Sequence, residues 1–574
     1  MEFKKTRQNS GKDISSSPIV KMAVLGDSAT QFLVKAIKAR GHEEKLRFDI
    51  FEADYAQIEQ QVFDPSSELY AHNPEFIIFA QSTEKLLSHF YQTTQAMRAQ
   101  FAQLTIESIE RLWLAISNHS RARIIQYNFS FLDDAVFGDF SSKTATSFPY
   151  QLRKLNVLLM ELLQKYKNVF MTDIDALQSR VGRNAAFDAR LFVASRLVFA
   201  LDFLPLVARH TVDIVKAIRG TIKKCLILDL DNTVWGGVIG DDGMHNIQIG
   251  DLGIGRAFDD LQTYAKELKN RGIILAVCSK NTEEIAKEPF IKHPDMILRL
   301  EDIAVFVANW NNKVDNIKHI QAVLNIGFDS MVFIDDNPFE RNMVKEMLPD
   351  VAVPDLPEDP SEYVAFLRSL NLFETASYSE EDIDRTRQYQ EEISRTEFQR
   401  SFTSIDDYLT SLDMSSAVRP FDTFTIPRVA QLSQRSNQFN LRTVRYTEED
   451  VEKISKSGNY ITMSFTLEDK FGDHGLIGLI IMRKESPTEL FIDTWVMSCR
   501  VLKRGMEEFM VSQMVKKARE AGFVTITGEY LPTPKNGMVK DLYKDMGFSC
   551  REQGDLWFLD IDACNKKKLF IREK

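Results

Sequence analysis

Cys225-Leu226-Ile227-Leu228-Asp229-Leu230-Asp231-Asn232-Thr233 is the stretch on which the reading of this chain turns. An apolar run leads directly into two carboxylates spaced two residues apart. In an extended segment such residues face the same way, so Asp229 and Asp231 converge on one group just past a strand. There Asp229 can attack phosphorus as a nucleophile. Asp231 can protonate the leaving oxygen and later deprotonate water. A merely solvated acid pair fits poorly after Leu226-Ile227-Leu228.

Three later features complete the constellation. Ser279 ends the expected strand Ile273 to Cys278, where its hydroxyl can hold a phosphoryl oxygen. Lys313 opens a helical pattern, and its ammonium can neutralise charge on a transferring group. Asp335 and Asp336 follow the expected strand Met331 to Ile334, and hard carboxylate oxygens there suit Mg²⁺. Alone, Lys313 reads as a solvated helix charge. The order of the four features, each at an element end, points to phosphoryl transfer.

Around this site, residues 221–372 alternate short apolar runs with helical patterns. The expected strands are Cys225 to Leu230, Ile273 to Cys278, Met296 to Leu298, Met331 to Ile334 and Val351 to Val353. Helices are expected at Ala257 to Asn270 and Lys313 to Leu324. This is the grammar of a doubly wound α/β fold, which binds ligands at the carboxyl ends of its strands. Residues 19–220 repeat it, with strands at Val20 to Leu25, Phe76 to Ala80, Ile124 to Tyr127 and Val169 to Thr172, and a helical stretch at Leu152 to Tyr166. Residues 373–415 read as a helical linker whose charged stretch, Ser379 to Ser401, has Ser379 as its N-cap. Residues 416–574 read as a mixed α/β domain, and residues 1–18 as a disordered leader.

Composition agrees with a soluble multidomain protein. The chain has 574 residues, 44% hydrophobic and 27% charged, more than one core holds. A net charge of −11 argues against a nucleic-acid surface. Five cysteines, Cys225, Cys278, Cys499, Cys550 and Cys564, lack metal-ligand spacing and read as reduced, mostly buried thiols of a cytoplasmic protein. Met1 to Ser17 has no apolar core, so no signal peptide is expected. Leu191 to Ala208 is interrupted by Arg196 and Asp202 and reads as a soluble helix, so no membrane span is expected.

The motif order Asp229/Asp231/Thr233, Ser279, Lys313, Asp335/Asp336 resembles the haloacid-dehalogenase (HAD) superfamily. The resemblance implies that Asp229, Asp335, Asp336 and the backbone carbonyl of Asp231 ligate Mg²⁺. Short gaps after Thr233 and Ser279 leave room only for a minimal cap, a flap around Gly236 to Gly243. The longer phrases Asp229 to Gly237, Cys278-Ser279-Lys280-Asn281, Asn309-Trp310-Asn311-Asn312-Lys313 and Phe333 to Pro338 resemble FkbH-like proteins. That family takes glyceryl from 1,3-bisphosphoglycerate, loads it on an acyl carrier protein and removes the remaining phosphate. Thr233, Trp235, Gly236, Gly237 and Asn281 are then expected to serve substrate and flap. Cys225 and Cys278 read as core residues, and no acyl-carrying residue is identified.

Two further resemblances flank this site. Gly26-Asp27-Ser28 after a strand resembles the first block of SGNH hydrolases, but the segment lacks an Asp-x-x-His (Asp188 is followed three places on by Leu191). A serine without its base is poorly activated, so a non-hydrolytic, SGNH-like binding domain is expected. The C-terminal segment resembles the GNAT acetyltransferase fold. Its cofactor loop would be Arg500-Val501-Leu502-Lys503-Arg504-Gly505, with Lys503 in place of a glycine, and Asn536 and Tyr543 match a later motif. Coenzyme A, or the phosphopantetheine arm of a separate acyl carrier protein, is the expected ligand of that groove. Ser436-Asn437-Gln438-Phe439-Asn440 also resembles the FkbH-like pattern. The leading expectation is a glyceryltransferase and phosphatase; the alternatives are a phosphatase for a small phosphorylated metabolite, or an N-acyltransferase whose HAD domain senses a phosphorylated ligand.

Overall fold

A computed structural model of the chain describes residues 19–378, 385–399, 402–498, 501–550, 556–563 and 567–574. The expected leader at residues 1–18, the N-cap Ser379, Cys499, Arg500 and Cys564 lie outside them. The chain forms two compact units that divide between Lys216 and Ala217. It is a multidomain α/β protein.

The first unit holds a five-stranded parallel sheet. Its strands are β1 (Ile19–Gly26), β2 (Arg47–Glu52), β3 (Phe76–Ala80), β4 (Arg123–Tyr127) and β5 (Val169–Thr172), in the order β2-β1-β3-β4-β5. β3 is buried throughout because helices cover both faces. Strand β2 was not expected from sequence. It is an edge strand, and its Arg-Phe-Asp-Ile-Phe-Glu alternation leaves no fully buried residue. The expected helix over Leu191 to Ala208 is instead broken. Ala189–Ser195 ends at Arg196 in the left-handed region (φ 58°), and a new helix, Leu204–Ile218, follows. No helix among the described residues is long and apolar enough to cross a membrane.

The second unit contains two sheets. The first is parallel, from β6 (Cys225–Leu228), β7 (Ile274–Ser279), β8 (Ile303–Ala308) and β9 (Met331–Ile334), ordered β8-β7-β6-β9. Met296 to Leu298 is not a strand. The N–H groups of Ile297 and Leu298 bond to the buried Gln262 side chain at 2.9 and 3.1 Å, and the next apolar run supplies β8. Val351 to Val353 contributes one bridge, Ala352 to Val332.

The second sheet is mixed. It includes β10 (Met414–Ser416), β11 (Val418–Arg419), β12 (Tyr460–Asp469), β13 (Gly472–Lys484), β14 (Glu489–Met497), β15 (Thr525–Glu529), β16 (Ser549–Cys550), β17 (Leu556–Asp560) and β18 (Ile571–Glu573). β12, β13 and β14 are antiparallel neighbours, whereas β14 and β15 run parallel. The helix Met506–Glu520 crosses between those two, as a parallel connection requires.

The charged linker helix Arg385–Gln399 joins both parts of this unit. Tyr389 is buried in the core of the parallel sheet. One turn and a half later, the buried Arg395 forks onto Asp469 at 2.7 and 3.0 Å and donates to His474. Burial alone would raise the Asp469 carboxyl, but His474 and Arg395 outweigh it and hold it far below the usual range. A helix with little apolar face is thus held by Tyr389 on one core, by Phe398 against the other, and by a buried ion pair.

Candidate active site

The carboxyl ends of β7, β6 and β9 bring Ser279, Asp229 and Asp335 side by side. β6 pairs in register with β7 on one flank and β9 on the other. Lys313 is the first residue of the helix Lys313–Leu324, whose N-cap Asn312 accepts from the Asp315 N–H. A cation at a helix N-terminus opposes the helix dipole, so helix stability does not account for Lys313. The buried ammonium reaches Asp229 Oδ1 at 2.9 Å and also bonds Asp335.

The carboxylate oxygens of Asp229, Asp335 and Asp336 lie within 4.8 Å of one another. Burial raises all three carboxyls; the Asp229 charge adds to this at Asp335, which is pushed up to about 7, and at Asp336. Burial pulls Lys313 down, but the adjacent carboxylates outweigh it and raise it above its usual value. Three carboxylates and one ammonium leave two negative charges. A divalent, oxygen-loving cation matches that surplus and that donor set.

Asp231 has a different environment. Its Oδ1 accepts from Trp235 Nε1 at 3.0 Å and from the Ile239 N–H at 3.1 Å, and its Oδ2 accepts from Asn281 Nδ2 at 2.8 Å. Trp235, expected to serve substrate and flap, stands directly before the flap and bonds the same Asp231 oxygen as the flap's Ile239. The indole is fully buried, edge-on to Phe290 at 5.9 Å, and serves the carboxylate. Asn281, also expected at the substrate, is buried and turned onto Asp231. Thr233 is buried too; its Oγ1 accepts from the Asp336 N–H at 3.1 Å.

The flap begins where Gly236 pairs with Gln248 through bonds of 2.9 and 2.8 Å. A Cβ on Gly236 would stand 2.8 Å from Phe258 and Gln248, and Gly237 has φ 92°, so side chains there would force the hairpin apart. The helix Ile239–Asp242 then carries the N–H that reaches Asp231.

Other supports were not singled out from sequence. Arg341 donates to the backbone carbonyls of Asp335 and Asp336 at 2.7 and 2.6 Å, fixing the loop that bears both acids. Tyr363 donates to the Asn232 carbonyl at 3.3 Å. Only the place of Arg341 shortly after Asp335-Asp336 hinted at such a role. Cys278 faces away from Ser279, into the apolar cluster that also holds Cys225. Burial pushes both thiols far up, so neither is primed as a nucleophile.

The remaining expected site residues are spread elsewhere. In the first unit, burial raises Asp27 to about 6, and both its oxygens accept from the Ser82 N–H at 3.0 Å. Ser28 opens on a cleft of about 610 Å³ lined by Thr30, Glu52, Tyr55 and Arg196, with no histidine among its lining residues. In the second unit, Lys503 and Gly505 both take positive φ, 62° and 77°, where the chain turns into the helix Met506–Glu520. Tyr543 is wholly buried among Trp495, Phe548 and Trp557, and so does not line a cleft. Asn536 is buried, its carboxamide bonded to Asn440 O and Leu531 O at 3.0 and 2.9 Å.

Residues 21–216 match the family of the FkbH N-terminal domain. The chain is also similar to the crystal structure of the N-terminal part of BF1531 from Bacteroides fragilis, which contains a phosphatase domain complexed with Mg. The identity is 49%, over 65% of this chain and 99% of that one, with a TM-score of 0.63. The chain belongs to the FkbH-like family of HAD proteins. Two weaker likenesses are to the ribosomal-protein-S18-alanine N-acetyltransferase of Escherichia coli (14% identity, 27% of this chain, 98% of that chain, TM-score 0.20) and to the GNAT domain of S. lividans PAT (15%, 25%, 89%, 0.21). No curated protein matches the sequence. Within this FkbH-like chain, the Asp229 site is the one place among the described residues where three potential metal-ligating side chains gather.

Proposed function

We propose that this FkbH-like protein is a Mg²⁺-dependent phosphatase of the HAD type that also transfers a glyceryl unit from 1,3-bisphosphoglycerate to the thiol of a separate acyl carrier protein. The observation that carries the phosphatase reading is the Asp229 site. A buried nucleophilic carboxylate is held by Lys313 beside Asp335 and Asp336, and a second carboxylate is clamped two residues on. The 49%-identical relative with a phosphatase domain and Mg supports the same chemistry.

Asp229, Asp335 and Asp336 would hold the Mg²⁺, which supplies charge neutralisation for the transferring phosphoryl group. An Asp229 oxygen attacks phosphorus as the bond to the substrate alkoxide breaks. Asp231 gives that alkoxide a proton, then takes one from the water that attacks the aspartyl-phosphate and frees inorganic phosphate. Lys313 and Ser279 hold the phosphoryl oxygens. In the glyceryl step the carrier thiolate attacks the acyl carbon, the carbon–sulfur bond forms as the acyl carbon–oxygen bond breaks, and the C1 phosphate leaves as inorganic phosphate. The resemblance of Asn309 to Lys313 and of Cys278 to Asn281 to the family pattern supports that finer reading.

The test is intact-mass analysis of a phosphopantetheinylated carrier protein incubated with this protein, Mg²⁺ and 1,3-bisphosphoglycerate generated in place. A glyceryl mass gain that requires Asp229 supports transfer. Asp229-dependent phosphate release without a gain reduces the proposal to a phosphatase of small phosphorylated metabolites.

A further inference from the structure

The mixed sheet of the second unit opens between two of its parallel strands. Parallel strands β14 and β15 pair only from Glu489 to Ile492 and from Thr525 to Gly528. β14 then runs on to Met497 without β15 beside it. Two parting strands leave backbone N–H and C=O groups facing the gap, and an extended, amide-bearing ligand such as a pantetheine arm can pair with such an edge. A coenzyme A or carrier arm, expected in this domain from the loop ending at Gly505, would need such an edge for its amides.

The gap is already filled by the chain itself. Asn440 bridges Val496 in antiparallel fashion, and the Met497 N–H donates to Phe439 O at 3.3 Å. On the other wall, the Leu531 N–H donates to Leu441 O at 2.9 Å. Arg442 then spans the opening: its guanidinium bonds Asp493 on one side at 3.0 Å and Glu529 on the other at 3.0 Å. Asn536 ties Asn440 O to the same wall as Leu531. Phe439, Asn440 and Leu441 are each at most 3% exposed, and the Phe439 ring packs edge-on to Trp495.

We infer that residues 439–442 are a built-in occupant of the β14/β15 gap, a self-made strand that closes this module to coenzyme A and to a pantetheine arm. The module's backbone pairing and its buried Phe439 contact are satisfied without any thioester ligand. Asn536, matched to a cofactor motif in sequence, works as the clasp of this plug. A carrier-borne arm therefore has to be received outside this gap. The inference does not depend on the reading of the Asp229 site.

Hydrogen–deuterium exchange and calorimetry on the full chain, with and without coenzyme A, test it. The expected result is slow exchange of the Met497 and Leu531 amides in the free protein, no change on adding coenzyme A, and no stoichiometric heat of binding. Arg442→Ala, which removes three guanidinium hydrogen bonds across the gap, is expected to speed exchange of those amides by about tenfold or more while global unfolding stays cooperative. Rapid exchange of Met497 and Leu531 in the free protein would overturn the plug. So would stoichiometric coenzyme A binding, with or without new protection over residues 493–497.

Discussion

Replacing Trp235 by phenylalanine removes one hydrogen bond from Asp231, the proposed acid, and leaves the phosphorus chemistry untouched. Asp231 accepts three N–H groups, from Trp235, Ile239 and Asn281, at 2.8–3.1 Å. Each hydrogen bond to a charged group contributes about 1.5–3 kcal/mol. If that contribution orients Asp231 in the transition state, its loss lowers kcat by about tenfold to a hundredfold. The loss should depend on the leaving group. An alkyl phosphate needs a proton delivered to its departing oxygen; an aryl phosphate whose phenolate is stable as the anion does not. Steady-state kinetics of Trp235→Phe on p-nitrophenyl phosphate and on a glycerate phosphate should therefore diverge, with the alkyl substrate bearing most of the loss. An equal loss on both substrates would refute the reasoning and reduce Trp235 to a packing residue.

Further outcomes follow from the same structure. Asn281→Leu should show the same leaving-group dependence as Trp235→Phe, because it removes the donor to the other Asp231 oxygen; unchanged alkyl-phosphate kinetics would contradict this. Mg²⁺ should raise the melting temperature of the wild-type protein by mass action, and Asp336→Asn should weaken that shift; an equal shift in both would argue against Asp336 as a ligand. Asp27 is raised by burial to about 6 from an ordinary value of 3.8. The folded state thus binds its proton more tightly than the unfolded state, and stability falls as pH rises between those values. Asp27→Asn should therefore stabilise at pH 8, by up to about 3 kcal/mol, and much less at pH 4; urea denaturation showing a destabilised variant at pH 8 would count against it. Arg395→Met should cost about 1.5–3 kcal/mol, because it removes the guanidinium fork from buried Asp469 while His474 and Arg504 remain beside it, again measurable by urea denaturation.

The legible parts of the sequence were those where chemistry and element ends coincide. Asp229, Ser279, Lys313 and Asp335 each follow or open a strongly patterned element, so their order alone implied a common site. Edge strand β2 was hidden because an edge needs only partial burial, and Arg47 to Glu52 alternates accordingly. Met296 to Leu298 misled because apolar content signals burial, not pairing. A side chain, Gln262, takes the N–H groups that a neighbouring strand would have taken. The contact of Trp235 with the acid was not legible, since spacing shows that a residue follows the motif but not that the chain turns back, and the Asp231–Trp235 bridge is what returns the indole to Asp231. The plug of residues 439–442 rests on partners about fifty to ninety positions away in the chain, beyond any local pattern.

The central claim, that Asp229 forms the covalent bond to phosphorus, is tested most directly by trapping. Turnover of an alkyl phosphate with Mg²⁺ would be quenched, the acyl phosphate reduced with borohydride, and the peptides sequenced by mass spectrometry. Reduction of the side chain at position 229, absent without substrate and absent in Asp229→Asn, is the predicted result. A trapped phosphoryl group at another residue, or phosphate release undiminished in Asp229→Asn, would contradict the account.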